Sequence, residues 1–206
     1  MTSFLEFYEK LHPMGCFSVY QARAIFPSFD RNNLRRWVSK GQLLHIKKEW
    51  YAFPDFLQTP DSSRFIAGRI YNPSYISLHS ALSFYGMIPE SVVQITSVST
   101  LKTAKFENAF GQFSYQNVKK ELFFGYKPML MSTGQSWNLA HPEKALLDLL
   151  YLFPFYRSED DMLELRLDED FMTEDFNKER FNEYLAIANS QALEQRAKLL
   201  LKTYDL

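Results

Sequence analysis

Cysteine is nearly absent from this chain: Cys16 is the one thiol in 206 residues. No internal disulfide can form, and a thiolate cage for zinc cannot be built. Set between Gly15 and Phe17, Cys16 reads as a small buried hydrophobe. Glycine is scarce too, at 7, which argues against long flexible linkers and against a glycine loop that cradles phosphate. There is no P-loop, no dinucleotide-binding fingerprint and no nucleophile elbow. The four histidines, His12, His45, His79 and His141, are isolated, and no pair has a metal-binding spacing. No apolar run approaches the ~20 residues of a membrane span. The opening MTSFLEFYEK lacks the basic region and long apolar stretch of a secretory signal. These absences lead us to expect a soluble protein of the reducing cytoplasm, with no cofactor, no metal and no membrane partner.

What is present is aromatic. Phe (19) and Tyr (12) carry most of a 17% aromatic content, and 46% of the residues are apolar. That is ample for a core, and it favours mixed helix and sheet over a plain helical bundle. The net charge of −1 names no partner, but its distribution does. From Ser18 to Trp50 seven basic residues (Arg23, Arg31, Arg35, Arg36, Lys40, Lys47, Lys48) face two acidic ones, Asp30 and Glu49. From Arg157 onward thirteen acidic residues outweigh seven basic ones. A chain polarised in this way offers nucleic acid only its N-terminal part.

The first sixty residues have a readable order. Phe4, Leu5, Phe7, Tyr8 and Leu11 are spaced for an amphipathic helix that ends at Pro13–Met14–Gly15. Ser18 is a good cap for a second short helix, VYQARAIF, which Pro27 stops. Asp30 is the expected cap of a third, RNNLRRWVSK, closed by Gly41. Its buried stripe is Leu34, Trp37 and Val38, so the opposite face carries Asn32, Asn33, Arg35, Arg36, Ser39 and Lys40. Two short β-prone runs follow, LLHI and WYAF, joined by Lys47–Lys48–Glu49. Helix, helix, turn, helix and a basic two-stranded wing is the order of a winged helix-turn-helix. The chemistry agrees. Arginine pairs with guanine and asparagine with adenine in a major groove, while lysine at a wing tip neutralises phosphate. The candidate DNA-binding residues are Arg31, Asn32, Asn33, Arg35, Arg36, Lys40, Lys47 and Lys48.

The polar stretch Asp55–Ser63 reads as the boundary, dividing the chain into residues 1–58 and 59–206. Beyond it come helices RFIAGRIY and LHSALSFYGMI, the second capped by Ser77. Strands are expected at VVQITSVST, FGQFSYQNV, ELFFGYK, PMLMST and SWNLA. A strong helix, PEKALLDLLYLF, opens on His141–Pro142–Glu143. SEDDMLELRLDEDFMTEDF is ambiguous, and ERFNEYLAIANSQALEQRAKLLLKTY reads as helix. The expected fold class is therefore α+β, with a mainly antiparallel sheet in the second region.

Candidates for chemistry are few. His79 lies beside Ser77 and Ser80 and reads as structural. Glu143, Lys144 and Asp148 form a charged trio, but Lys144 and Asp148 are one turn apart, the spacing of an ordinary helix-surface pair. Lys102, Lys105, Lys119 and Lys120 read as exposed strand ends.

Taken together, the N-terminal module, YISLHSALSFYGMIPESVVQITSVST, FGQFSYQNVKKELFFGY and AHPEKALLDLLYL resemble the antitoxins of the abortive-infection E family (AbiEi). The match runs from about Phe17 to Phe153. It rests on Tyr75–Leu78, Ala81–Leu82, Gly86, Ile88–Glu90 and Pro142–Asp148. The resemblance implies a non-enzymatic antitoxin and transcriptional autorepressor of a type IV toxin–antitoxin system. Its N-terminal domain would bind double-stranded operator DNA, and its C-terminal domain would counteract a nucleotidyltransferase-like toxin without a lasting complex. One departure stands out: the family's wing usually has Gly where this chain has Glu49. The alternative expectation is a free-standing winged-helix regulator whose second domain senses a ligand or partner.

Overall fold

Ser3 starts the first helix as its sequence requires, its hydroxyl accepting the Glu6 N–H at 3.1 Å. In the computed structural model, which describes residues 3–206, that helix is α1 (Phe4–Leu11). A short strand not expected from the sequence follows, β1 (Cys16–Ser18). Ser18 and Gln21 then form a reciprocal capping box at the start of α2 (Val19–Ile25). The third helix, α3 (Asn32–Ser39), begins two residues after Asp30, whose carboxylate still accepts the Asn32 N–H at 2.9 Å. Strands β2 (Leu44–Lys47) and β3 (Trp50–Ala52) complete an antiparallel sheet in the order β1-β3-β2.

This first body closes on aromatic rings. Phe7, fully buried, lies 4.6 Å from Trp37, 5.1 Å from Phe29 and 5.4 Å from Phe17 between centroids. Leu11, Leu34, Leu43 and Phe53 fill the space around them. Each such ring pair adds about 0.5–1.5 kcal/mol beyond the area it buries.

Residues within the expected boundary are packed. Pro54–Gln58 forms a 3-10 turn that buries Phe56 against Phe65 (5.7 Å) and Phe110 (6.0 Å) in the larger core. Cys16, Ile46 and Ala52 of the first body belong to that same core. Gly15 makes the junction possible. Its φ is +71°, and a Cβ there would lie 2.6 Å from the Phe56 ring.

The second body opens with α4 (Ser62–Ile70), β4 (Ser74–Ile76) and α5 (Leu78–Phe84). Its remaining strands are β5 (Ile95–Ser99), β6 (Ala104–Asn108), β7 (Gly111–Asn117), β8 (Tyr126–Leu130) and β9 (Ser136–Ala140). They form a sheet in the order β6-β7-β5-β4-β9-β8. The pairs β6/β7, β5/β4 and β9/β8 are antiparallel, while β7/β5 and β4/β9 are parallel. The architecture is thus α+β with a mixed sheet in which antiparallel pairing prevails. ELFFGYK and PMLMST do not make separate strands. A 3-10 turn at Lys120–Leu122 precedes the single strand β8. Helix α6 (Pro142–Leu152) packs against α5, α8 (Lys178–Ala188) and α9 (Gln191–Thr203). The acidic segment resolves into α7 (Glu159–Leu163) and a π turn at Phe171–Asp175. The terminal helix is broken where Asn189 takes a φ of +43° and Ser190 caps anew. Among the described residues no helix is long and apolar enough to cross a membrane.

Candidate nucleic-acid interface

The helical period of α3 sends Leu34 and Trp37 into the aromatic core, and Asn32, Arg35, Arg36, Ser39 and Lys40 are exposed. Arg31, just before the helix, is exposed as well. Asn33 is not on the open face. It is 8% exposed, and its Oδ1 accepts a hydrogen bond from the Arg36 guanidinium at 2.9 Å. Asn33 therefore positions Arg36 and is a poor candidate for touching a base itself. Val38 is only half-buried.

The hairpin turns through Lys48 and Glu49. Glu49 adopts a φ of +68°, a left-handed conformation that costs a non-glycine residue free energy. Two contacts offset that cost. Its carbonyl accepts the Val19 N–H at 2.9 Å, and its carboxylate pairs with Arg31. The acidic residue in the wing thus ties the hairpin to α2 and to the entry of α3.

Lys48 is exposed, but Lys47 departs from the sequence expectation. Its ammonium donates to the Ile70 carbonyl at 2.5 Å and lies over the rings of Phe106 (4.3 Å) and Tyr71 (4.8 Å). Burial pushes its pKa down. Asn108 reinforces the contact, its side-chain amide donating to the Ile46 carbonyl at 3.0 Å. Lys47 is engaged with the second body and is not free to meet phosphate. Periodicity could not show this, because its partners lie more than twenty residues away.

Between α3 and the hairpin runs a groove of about 460 Å³, lined by Arg31, Arg35, Val38, Ser39, His45 and Tyr51. Sequence reasoning assigned no role to His45 or Tyr51. They are opposite each other in the β2/β3 ladder, with ring centroids 5.3 Å apart.

The charged trio of α6 is also placed otherwise than expected. Lys144 and Asp148 do form an i,i+4 pair, but both are 2% exposed, so the pair belongs to the core and not to the surface. Asp148 also accepts from Tyr75 (2.9 Å) and Ser77 (2.8 Å), and Lys144 donates to the Tyr75 hydroxyl at 2.8 Å. Ser77 spends its hydroxyl here instead of capping α5. Burial, and then the neighbouring Asp148 carboxylate, hold the Tyr75 phenol protonated well above its ordinary range. Glu143, 1% exposed, accepts the Asn177 N–H at 3.0 Å and faces Arg180 at 3.5 Å. Every charge in this cluster has a partner, and the cavity beside it, about 10 Å³, has room for no more than a single water.

The remaining candidates separate cleanly. Cys16 is buried, and loss of solvent pushes its thiol up to about 12. Lys102, Lys105, Lys119 and Lys120 are exposed at strand and turn ends. Among the described residues no group of His, Cys, Asp and Glu is arranged to hold a metal ion. No protein-family model matches the chain, and no curated protein matches it.

Proposed function

We propose that the chain is a DNA-binding autorepressor of the antitoxin type. In this reading α1–α3 with β1–β3 act as a winged helix-turn-helix on the protein's own operator. The second body counteracts a nucleotidyltransferase-like toxin without a lasting complex and performs no catalysis. The observation that carries the DNA-binding part is the exposed face of α3. Asn32, Arg35, Arg36 and Lys40 stand there with no carboxylate among them, beside a hairpin that presents Lys48. A B-form major groove of about 12 Å accepts a helix. Arg36, pre-oriented by Asn33, has the fork geometry for a guanine edge. Lys48 and Lys40 suit backbone phosphates, which fix register without reading sequence. The strongly acidic C-terminal part, repelled by DNA, keeps a single face productive. The antitoxin part rests on the AbiEi resemblance.

Gel shifts on the gene's upstream region test the first part. An Arg35→Ala/Arg36→Ala variant is expected to lose specific binding, and unchanged binding overturns the recognition-helix assignment. Co-expression with a neighbouring nucleotidyltransferase tests the second. Relief of toxicity supports the antitoxin role, and failure to protect leaves a free-standing regulator.

A further inference from the structure

The groove between α3 and the β2–β3 hairpin is lined by the polar side chains of Arg35, His45 and Tyr51. Among the described residues Arg35, His45 and the Tyr51 hydroxyl have neither a hydrogen-bond nor an ion-pair partner. Tyr51 is the telling member. Its residue is 8% exposed and its ring is packed against Phe17 (6.1 Å), yet its hydroxyl is not among the buried polar atoms lacking a partner. What remains open of this side chain is therefore at the groove it lines. The hydroxyl is thus reachable from the groove, and no described residue engages it. Arg31, on the same rim, is already neutralised by Glu49, which leaves Arg35 as the unpaired guanidinium among the described residues that line the groove.

We infer that this groove seats one backbone phosphate of the bound DNA, with Arg35, His45 and Tyr51 as its donors. The chemistry of the set fits a phosphodiester oxyanion. A guanidinium offers two parallel N–H donors, an imidazole one N–H and a phenol one O–H, and no carboxylate stands among the described residues that line the groove. The position fits too. A groove flanked by the recognition helix and the hairpin is where the strand bordering an occupied major groove runs. Seating a phosphate there fixes the depth and roll of α3, so Arg36 reaches the same base each time. Tyr51 and His45 become register-setting residues, carrying no sequence information of their own. The inference rests on the DNA-binding reading above and extends it to two strand residues.

The test uses the full chain and two duplexes of equal length, one from the gene's upstream region and one unrelated, titrated by fluorescence anisotropy across a range of salt. Arg35→Gln is expected to weaken both duplexes about tenfold and to reduce the salt slope by about 0.9, the value for one phosphate contact. Tyr51→Phe keeps the buried ring and removes only the hydroxyl. It should weaken both duplexes about threefold, in the range of one hydrogen bond, with the salt slope unchanged. Methylphosphonate substitution, one phosphate at a time, should then find a position that costs the wild type affinity and costs Arg35→Gln nothing. Wild-type affinity and slope in both variants overturn the phosphate seat while leaving DNA binding intact. A loss confined to the upstream duplex makes Arg35 a base reader and also overturns it. If inorganic phosphate at constant ionic strength displaces DNA from the wild type but not from Arg35→Gln, the groove is a small-anion site and the backbone assignment fails. If the wild type binds neither duplex even at low salt, the DNA-binding reading itself falls.

Discussion

Arg35 and Lys144 are both cations on well-packed helices, and their surroundings are opposite. Arg35 stands on the exposed face of α3 with no partner among the described residues. Lys144 is 2% exposed on α6, with Asp148 and Tyr75 as hydrogen-bonding partners and the Phe124 ring 5.1 Å away. Among its described residues the first body buries the polar side chains of Ser18 and Asn33 but no charged one, Lys47 being half-buried against the second body. The second takes Glu143, Lys144 and Asp148 inside and satisfies each of them. A free surface donor is available to a ligand. A fully partnered buried one is a statement about which elements must meet, here β4, α5 and α6.

The largest effects should come from the two cores, and they should differ in kind. Lys144→Met strands the Asp148 carboxylate and should cost about 3–5 kcal/mol in urea unfolding. Adding Asp148→Leu should recover much of that loss, because both charges are then gone. Trp37→Ala in the first body should cost a similar amount, about 3–5 kcal/mol. It leaves a cavity among Phe4, Phe7 and Phe29, and no second polar substitution should rescue it. Rescue at both sites, or at neither, would erase the contrast between the bodies.

Next in size is the surface. Arg36→Ala should weaken specific DNA binding by about 1–3 kcal/mol. Asn33→Ala should produce part of that loss without changing the salt slope, since it only aims Arg36. Anisotropy titrations on matched duplexes measure both. Ser18→Ala, which breaks the capping box of α2, should cost about 1 kcal/mol of stability, read from the urea midpoint.

The smallest expected effect is in pH. Burial pushes His79 and His141 below the ordinary histidine value of 6.5, against the opposing pull of Glu90 and Glu143. For His141 the nearby cations Arg180 and Lys127 add to the depression. Between 6.5 and the lower folded values the unfolded chain binds more protons, so stability falls as pH falls through that window. Replacing both residues by Gln should flatten the slope there and leave stability above pH 7 nearly unchanged. An unaltered slope would assign the acid sensitivity elsewhere.

Much of the first body was legible because its signals are local. The cap at Ser18, the stripe of Leu34 and Trp37, and the stops at Pro27 and Gly41 are all written within one helical turn of where they act. β1 was missed because Cys16–Ser18 has three residues and no alternation to read. β6 was missed for a different reason. Ala104–Asn108 is an edge strand whose residues alternate between half-buried and exposed, and its polar spelling resembles a loop. The composition of Asp55–Ser63 marks a boundary but does not show that Phe56, within it, packs into the larger core. The trio on α6 shows the limit most clearly. The spacing of Lys144 and Asp148 gives the pair but not its depth, which depends on Tyr75 and Ser77 about seventy residues away. In the groove, His45 and Tyr51 looked like ordinary strand residues. What sets them apart is that neither side chain has a hydrogen-bond partner among the described residues, and sequence does not record that.

The inward-turned Lys47 joins the two bodies energetically. Its bond to the Ile70 carbonyl, its place over Phe106 and Tyr71, and the Asn108–Ile46 contact brace the hairpin on α4 and β6. If the DNA binding proposed above also depends on Lys47 being seated, a ligand that binds the second body more tightly in that state changes DNA affinity by the same factor by which DNA changes the ligand's own. A factor of five to a hundred and fifty corresponds to only about 1–3 kcal/mol. The hairpin is therefore a place where an event on one body can be felt on the other. A cut after residue 55 would sever that linkage, and would also strip Cys16, Ile46 and Ala52 of the core they share.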